Sequence, residues 1–352
     1  MYEINVKVDY VVTKPLDGFN PKVTIFGHPD NTDVYRVYFY DKNTYELIFN
    51  GECRINQTIV GTRQWHTDWV IHVVDVDGNI MYVNEYDPTF KKVYIKIDAY
   101  ALGDNIAWMP YLEEYRKKYN CDLIVSTFHN HLFQSEYPDI LFVPPNTVVE
   151  NLYSQFYIGA TSELNVKYSP VTSVSVPLQM VATATLGLNY IEMKPRVGYH
   201  GIPKTDYGGK YVCLSEFGST PDKSWKHEGG WQTVVNHLND SGYKVVVISK
   251  EPTELKNVID KTGDIHLSNR IADLEGAEFY LGVSSGLAWL SWAVGTHVIM
   301  VSDVTPWWHE FQSGITRICT DRDLVKVDYS TDIVTHSDYV VSKIIQYIEN
   351  KS

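Results

Sequence analysis

The sequence predicts an α/β protein with two doubly wound, Rossmann-like lobes behind an antiparallel β-rich N-terminal domain. Three observations carry that expectation. Residues 1 to about 90 hold β-branched and aromatic runs with no sustained helical period. From Lys92 onward, short apolar strands alternate with helix-period segments, the pattern of a parallel sheet. Between Pro195 and Lys210 lie two Pro and four Gly with little periodicity, which places a hinge between two lobes. The expected divisions are 1–90, 91–198 and 199–352.

In the first part, Val34 to Tyr40, Trp69 to Val74 and Ile80 to Val83 read as strands. Asp41-Lys42-Asn43 and Asp77-Gly78-Asn79 are the turns between them. A small antiparallel sandwich or barrel is expected. In the first lobe, Val93 to Ile97 is a strand. It leads through Gly103-Asp104-Asn105 to a helix from Ile106 to about Tyr119, with Trp108, Tyr111, Leu112 and Tyr115 on one face. Strands at 121–125 and 140–143 follow, then a helix over 177–190. The second lobe reads as strands at 211–214, 243–248, 277–282 and 297–301, with helices at 230–240 and 287–294. Such lobes present strand C-terminal ends and helix N-termini to a ligand cleft.

Composition narrows the function. The chain has 352 residues and a formal net charge of −13. Its densest basic spots are only Arg116-Lys117-Lys118 and Lys91-Lys92. Duplex binding draws its affinity from phosphate neutralisation, so this balance argues against nucleic acid. Cys53, Cys121, Cys213 and Cys319 lie far apart with no CxxC spacing, which argues against a zinc site and a disulfide framework. The start MYEINVKVDY has neither a basic nor an apolar leader region, and no stretch approaches the ~18 apolar residues of a membrane span. A cytoplasmic protein is expected. The 26 Tyr, 9 Trp and 12 Phe suit sugar contacts, and suit plain sheet packing better still.

Four segments could carry chemistry. Gly103-Asp104 sits at a strand-to-helix turn, where Asp can act as a general base or merely cap the helix; Asp98 is a rival carboxylate. The stretch Gly218 to Trp225 follows a strand and offers Thr220 and Lys223, a diphosphate clamp or a solvated loop. Ser284-Ser285-Gly286-Leu287 joins a strand to a helix start, an anion site or an ordinary turn with a Ser cap. Thr305-Pro306-Trp307-Trp308-His309-Glu310-Phe311 follows the next strand, where aromatics could stack on a base or sugar. Two weaker signals are Thr127-Phe128-His129-Asn130-His131 and Glu251, the latter placed for a ribose hydroxyl.

These motifs, in this order, resemble the bacterial autotransporter heptosyltransferases, and more distantly the lipopolysaccharide heptosyltransferases. The resemblance covers most of the chain. VYRVYFYDKNTYELIF and TDWVIHVVDVDGNIMY look like that family's strand-rich leader. LGDNIAWMPYLEEYRKKYNCDL resembles its Gly-Asp turn and helix. STPDKSWKHEGGWQTVVNHLNDSGYKVVVI resembles its Lys- and Trp-bearing loop, and FYLGVSSGLAWLSWAVGTHVIMVS is the closest match.

The resemblance implies the two-lobed GT-B architecture. It implies inverting transfer from a nucleoside-diphosphate sugar, ADP-heptose-like, to an acceptor hydroxyl, protein Ser/Thr in that family. It makes Asp104 the general base, places Lys223 and Thr220 on the donor diphosphate, sets Ser284, Ser285, Gly286 and Leu287 against the donor, and puts Thr305 in the following donor-side loop. Glu251 is placed on the donor side, and Gly103, Trp108 and His129 on the acceptor side. The chain departs from the family pattern in FQSGITRICTDRDLV, where a Cys cluster for iron would stand and only Cys319 remains. No bound metal and no cofactor beyond the sugar nucleotide are expected. A modified nucleobase or glycan acceptor, a non-catalytic sugar- or nucleotide-binding role, and homo-oligomerisation stay open.

Overall fold

The computed structural model describes residues 3–11, 20–159, 169–199, 202–219, 223–225, 228–302, 305–319 and 333–351. It divides into two compact units. One comprises Met1–Ala99, Tyr111–Asn130 and Tyr137–Ile191, the other Tyr100–Pro110, His131–Glu136 and Glu192–Ser352.

The first unit opens with two antiparallel sheets. β1 (Ile4–Asp9), β2 (Lys22–Gly27) and β5 (Gln57–Val60) form one, in the order β1-β2-β5. β3 (Val34–Asp41), β4 (Leu47–Arg54), β6 (Trp69–Val74) and β7 (Ile80–Glu85) form the other, in the order β4-β3-β6-β7. Alternation sets their buried face: Tyr35, Val37 and Phe39 of β3 and Trp69, Ile71 and Val73 of β6 are all buried. The edge-on contact of Phe39 and Trp69 (6.1 Å, 84°) sits in that core. The expected sandwich is therefore two small sheets.

A parallel sheet follows in the same unit. β8 (Lys92–Ile97) leads into α1 (Leu102–Tyr119), then come β9 (Asp122–Ser126), α2 (Asn130–Phe133), β10 (Leu141–Phe142), β11 (Ser154–Ile158) and α3 (Leu178–Leu186). The strand order is β10-β9-β8-β11. The strands before residue 90 and this sheet belong to one compact unit, so the change at about residue 90 is a change of sheet type. His66 shows how they are joined. It is buried, and its Nε2 meets the Tyr119 hydroxyl at 2.7 Å and Asp68 at 3.1 Å. Tyr86 bonds both Tyr115 (2.9 Å) and Ser154 (2.8 Å). Burial pushes the His66 pKa down, which keeps the ring neutral inside this network.

The second unit is built on one six-stranded parallel sheet. β12 (Tyr211–Ser215) is followed by α4 (Gly230–Asp240), β13 (Lys244–Val247), β14 (Ile259–Asp260), α5 (Leu267–Glu275), β15 (Tyr280–Val283), α6 (Gly286–Val294), β16 (Val298–Ser302), β17 (Ile315–Cys319) and α7 (Ile333–Lys351). The order is β14-β13-β12-β15-β16-β17. β12, β15 and β16 are buried along their whole lengths, as strands covered on both faces must be. The stretch read as a hinge is tied down where it is described: Asp273 accepts from Thr205 and Tyr207, both at 2.8 Å, and its carbonyl accepts from Tyr211 at 2.7 Å.

Gly187 gives a test of the His66 seam. It ends α3 at φ +63, and a Cβ there would collide with the His66 ring. Gly78 has φ +88 with nothing near. Gly187→Ala is expected to cost about 2–4 kcal/mol, backbone strain plus overpacking, and Gly78→Ala about 1 kcal/mol from strain alone. Equal losses in denaturant unfolding would remove the packing role of His66.

Candidate functional site

The site forms where the strand order turns back on itself. β12 pairs with β13 on one side and with β15 on the other, both parallel. The chain therefore winds outward in both directions from β12 and β15. Beyond the carboxyl ends of two such strands the connections part and leave a ligand crevice. Here those ends carry Glu216-Phe217-Gly218 and Ser284-Ser285-Gly286.

Most of the predicted donor-side residues lie among the described residues. Ser285 caps α6, its hydroxyl accepting from the Ala288 amide at 3.4 Å. The first-turn amides of Gly286 and Leu287 have no partner within the helix and lie at its positive end. Lys223 lies across Gly218: a Cβ on that glycine would be 2.7 Å from Lys223 Cβ and 3.2 Å from the Ser284 carbonyl oxygen. Two residues on, Trp225 packs edge-on against Trp231 of α4 (4.9 Å, 79°), which fixes the Lys223 segment to the core. Thr220 lies outside the described residues. Glu251 is exposed just beyond β13.

Asp104 reaches the same place from a distant part of the sequence. α1 begins at Leu102, four residues before the expected start, so Asp104 sits in its first turn. The cause is a close approach of two helix starts. A Cβ on Gly103 would be 2.9 Å from Trp289 Cδ1, and one on Gly286 would be 2.8 Å from Leu102 Cβ and 3.3 Å from the Gly103 amide. Gly286 lets the two helix starts meet, and Gly103 leaves room for the Trp289 ring. Burial pushes the Asp104 carboxyl up to about 6, with the Lys223 cation pulling the other way. The rival carboxylate, Asp98, is already engaged in the first unit: it accepts from Tyr157 at 2.9 Å and faces Lys96 at 3.8 Å.

Two carboxylates that sequence reasoning passed over complete the arrangement. Glu310 is 2% exposed. Its Oε1 accepts from Ser284 at 2.6 Å and from Thr305 at 2.8 Å, and its Oε2 pairs with Arg317 of β17. Glu216 is also buried; its Oε2 accepts from Thr253 at 2.5 Å, and burial raises its pKa. The signal for Glu310 was a lone acid inside an aromatic stretch read only for stacking. Glu216 precedes the glycine at which the motif was taken to begin.

One acceptor-side expectation is corrected. Trp108 is fully buried on the core face of α1 with Ile106 and Leu112, so it presents no surface to a ligand. His129 is half-buried at the end of β9 in the first unit, its amide donating to Thr127 Oγ1 at 2.8 Å. Of the aromatic pair after β16, Trp307 is 63% exposed.

Comparison with known proteins now places the chain. The profile of glycosyltransferase family 9 (heptosyltransferase) matches residues 186–306, the stretch that contains the switch point. The chain carries a glycosyltransferase family 9 domain. It is homologous to autotransporter heptosyltransferases: Aah of Escherichia coli is 30% identical over 260 residues, 68% of this chain and 66% of Aah. BimC of Burkholderia thailandensis, named as an inactive autotransporter heptosyltransferase, is 26% identical over 77% of this chain and 66% of its own length. The chain thus spans just under two thirds of these relatives. The crystal structure of TibC from enterotoxigenic E. coli H10407, an iron-containing dodecameric glycosyltransferase, matches with a TM-score of 0.82 at 20% identity, over 99% of this chain and 96% of TibC. A second TibC structure, in complex with ADP-D-beta-D-heptose, matches with a TM-score of 0.78 at 19% identity over the same shares. The fold of the chain is accordingly the α/β GT-B type.

TibC is described as iron-containing. Among the described residues, no group of three or more His, Cys, Asp or Glu could hold a metal ion. Cys53, Cys121 and Cys213 are buried and separate.

The raised Asp104 pKa has a consequence for stability. A carboxyl whose folded pKa exceeds its unfolded value favours folding while protonated, and that contribution is lost as pH rises through about 6. Asp104→Asn removes the cost of ionisation. It is expected to stabilise the protein by about 1–3 kcal/mol at pH 8 and to change little at pH 4. Thermal melts at the two pH values test this, and a destabilised variant at pH 8 would mean that the carboxylate is held by partners instead of strained.

Proposed function

We propose that this chain is an inverting glycosyltransferase that moves a heptose from ADP-heptose to an acceptor hydroxyl, with Asp104 as general base and Lys223 on the donor diphosphate. The carrying observation is the pairing of a half-buried carboxyl, pushed up to about 6, with a cation and a helix start at one topological switch point. A general base works best with a pKa near the operating pH. A carboxyl that served only to cap α1 would instead be held low by amide donors. The ADP-heptose bound to TibC supports the donor, and the naming of the relatives as autotransporter heptosyltransferases supports a protein Ser or Thr hydroxyl as acceptor.

The reaction is a single displacement. The acceptor oxygen attacks the anomeric carbon as its proton passes to Asp104. The bond from that carbon to the diphosphate oxygen breaks, and ADP leaves with the electron pair. Attack opposite the leaving group inverts the centre. Lys223 and the amides of Gly286 and Leu287 face the charge that grows on the diphosphate, where fixed donors and dipoles act most strongly. Glu251, exposed beyond β13, is assigned to the ribose, and Thr220 and Thr305 to the donor loops by resemblance. Gly103 and His129 are assigned to the acceptor side. Among the described residues no helix is long and apolar enough to cross a membrane, in keeping with action in the cytoplasm. Homo-oligomerisation follows the dodecameric TibC.

A binding protein that has lost turnover is the second reading, and inactive BimC is the observation that favours it. Activity of Asp104 variants separates the two. Asp104→Ala is expected to lower kcat by about 10²- to 10⁴-fold while ADP binds as before or tighter. Near-normal turnover in that variant would end the base assignment, and no transfer by the unmodified chain from ADP-heptose would favour the second reading.

The acid limb gives a further check. The kcat/KM of the unmodified chain is expected to fall below about pH 6, as Asp104 becomes protonated. Lys223 lowers the Asp104 pKa, so Lys223→Met should move that limb to higher pH and weaken ADP binding about tenfold. A limb that stays put, or moves down, would mean the two groups are not coupled.

A further inference from the structure

We infer that Glu310 is a positioning residue for the donor-side turn, taking the hydroxyl protons of Ser284 and Thr305 so that residues 284–287 meet the diphosphate with backbone amides and not with those hydroxyls. This rests on the reading above and refines it: two residues assigned to the donor by resemblance act through a third.

The proton directions follow from the geometry. A carboxylate only accepts. Ser284 has one hydroxyl proton, and it points to Glu310 Oε1 at 2.6 Å, a short charge-assisted bond. Thr305 also has one, given to the same oxygen at 2.8 Å. The 3.0 Å contact between Thr305 and Ser302 hydroxyls must then run from Ser302 to Thr305. Neither Ser284 nor Thr305 retains a proton for a phosphate oxygen. To donate to one, either would have to leave a buried anion short of a partner, which is costly.

Glu310 cannot itself turn toward a ligand. Its other oxygen is paired with Arg317, whose Nη1 also donates to the Thr305 carbonyl at 3.3 Å. Next in sequence, Phe311 stacks flat on Trp292 of α6 (4.5 Å, 3°) and edge-on against Trp289 (5.1 Å, 79°). Beyond it, the Glu192 carboxylate accepts from the Gln312 amide, and from the Ser313 amide and hydroxyl at 3.1 and 2.6 Å. The loop is thus fixed on both sides of Glu310, and the carboxylate braces three segments: the turn before α6, the loop after β16, and β17. A turn held this way presents its amides at fixed positions, which is what preorganised anion binding needs.

The test is a double-mutant cycle read by ADP binding, with melting curves beside it. Glu310→Gln keeps the shape and removes the charge that Arg317 and the two hydroxyls answer. It is expected to weaken ADP about tenfold and to raise the donor KM while the acceptor KM is unchanged. Ser284→Ala should weaken ADP about threefold in the unmodified background and have almost no effect beside Glu310→Gln, because it acts through Glu310. An equal loss in both backgrounds would mean that the hydroxyl touches the ligand, and would overturn the inference. So would normal ADP binding by a cooperatively melting Glu310→Gln. If that variant does not fold, Ser284→Ala and Thr305→Val decide: a loss above about tenfold in either marks a direct hydrogen bond to phosphate, and a smaller loss in both supports positioning. Failure of the unmodified chain to bind ADP would strike the donor reading itself, and with it this one.

Discussion

Two helix starts touch through glycine, and most of the candidate site depends on that contact. Gly103 meets Trp289, and Gly286 meets Leu102. A side chain on Gly286 would push the helix starts apart, and one on Gly103 would displace the Trp289 ring. The approach brings a carboxylate from residue 104 beside the amide-rich turn at 284–287. It also draws the carboxyl partly out of water, which is why the carboxyl rises where an exposed first-turn Asp would be lowered by the helix. Steric permission at two positions thereby sets an acid–base property at a third.

Three carboxylates in the second unit show how environment divides roles. Glu310 is neutralised by Arg317 and two hydroxyls, so it fixes geometry. Glu216 has one hydroxyl partner at Thr253 and links the loops that follow β12 and β13. Asp104 has the Lys223 charge as its counterweight and is left with a raised pKa. Of the three, Asp104 alone combines a raised pKa with a place in the first turn of a helix facing the switch point.

Elements with strong local signals were legible in the sequence. α4 runs over Gly230–Asp240 as its period predicts, and β6 over Trp69–Val74 as its β-branched alternation predicts. What the sequence hides is set by distant partners. α1 starts at Leu102 because α6 packs there; locally, Gly103-Asp104-Asn105 reads as turn chemistry. β11 is a strand because it pairs with β8, some sixty residues earlier. β17 completes the far edge beside β16, and Arg317 within it matters only through Glu310. The site followed the same rule. Asp104, Lys223 and the 284–287 turn were visible as motifs, and the resemblance supplied their roles. Glu310 and Glu216 were not visible, since a buried acid reveals itself only when its hydrogen-bond donors are known. Trp108 erred the other way: an aromatic beside a motif looked like a contact residue, and the core claimed it.

Homology alone does not separate a working enzyme from a silent relative, because Aah and inactive BimC match this chain to similar extents. Physical strain is a better guide. Burying a carboxyl without bonding it opposes folding at neutral pH, and drift without selection for chemistry would be expected to relieve such a cost, since substitutions that stabilise are easy to reach. An Asn at 104 would keep the shape and shed the charge. An Asp at 104, facing Lys223 and two helix starts, is therefore the feature on which the proposed turnover rests. The Glu310 brace supports it from the other side. A buried Arg–Glu pair is a poor source of net stability. Its sense lies in holding one turn in one shape, and a turn needs holding when something charged must arrive there and leave.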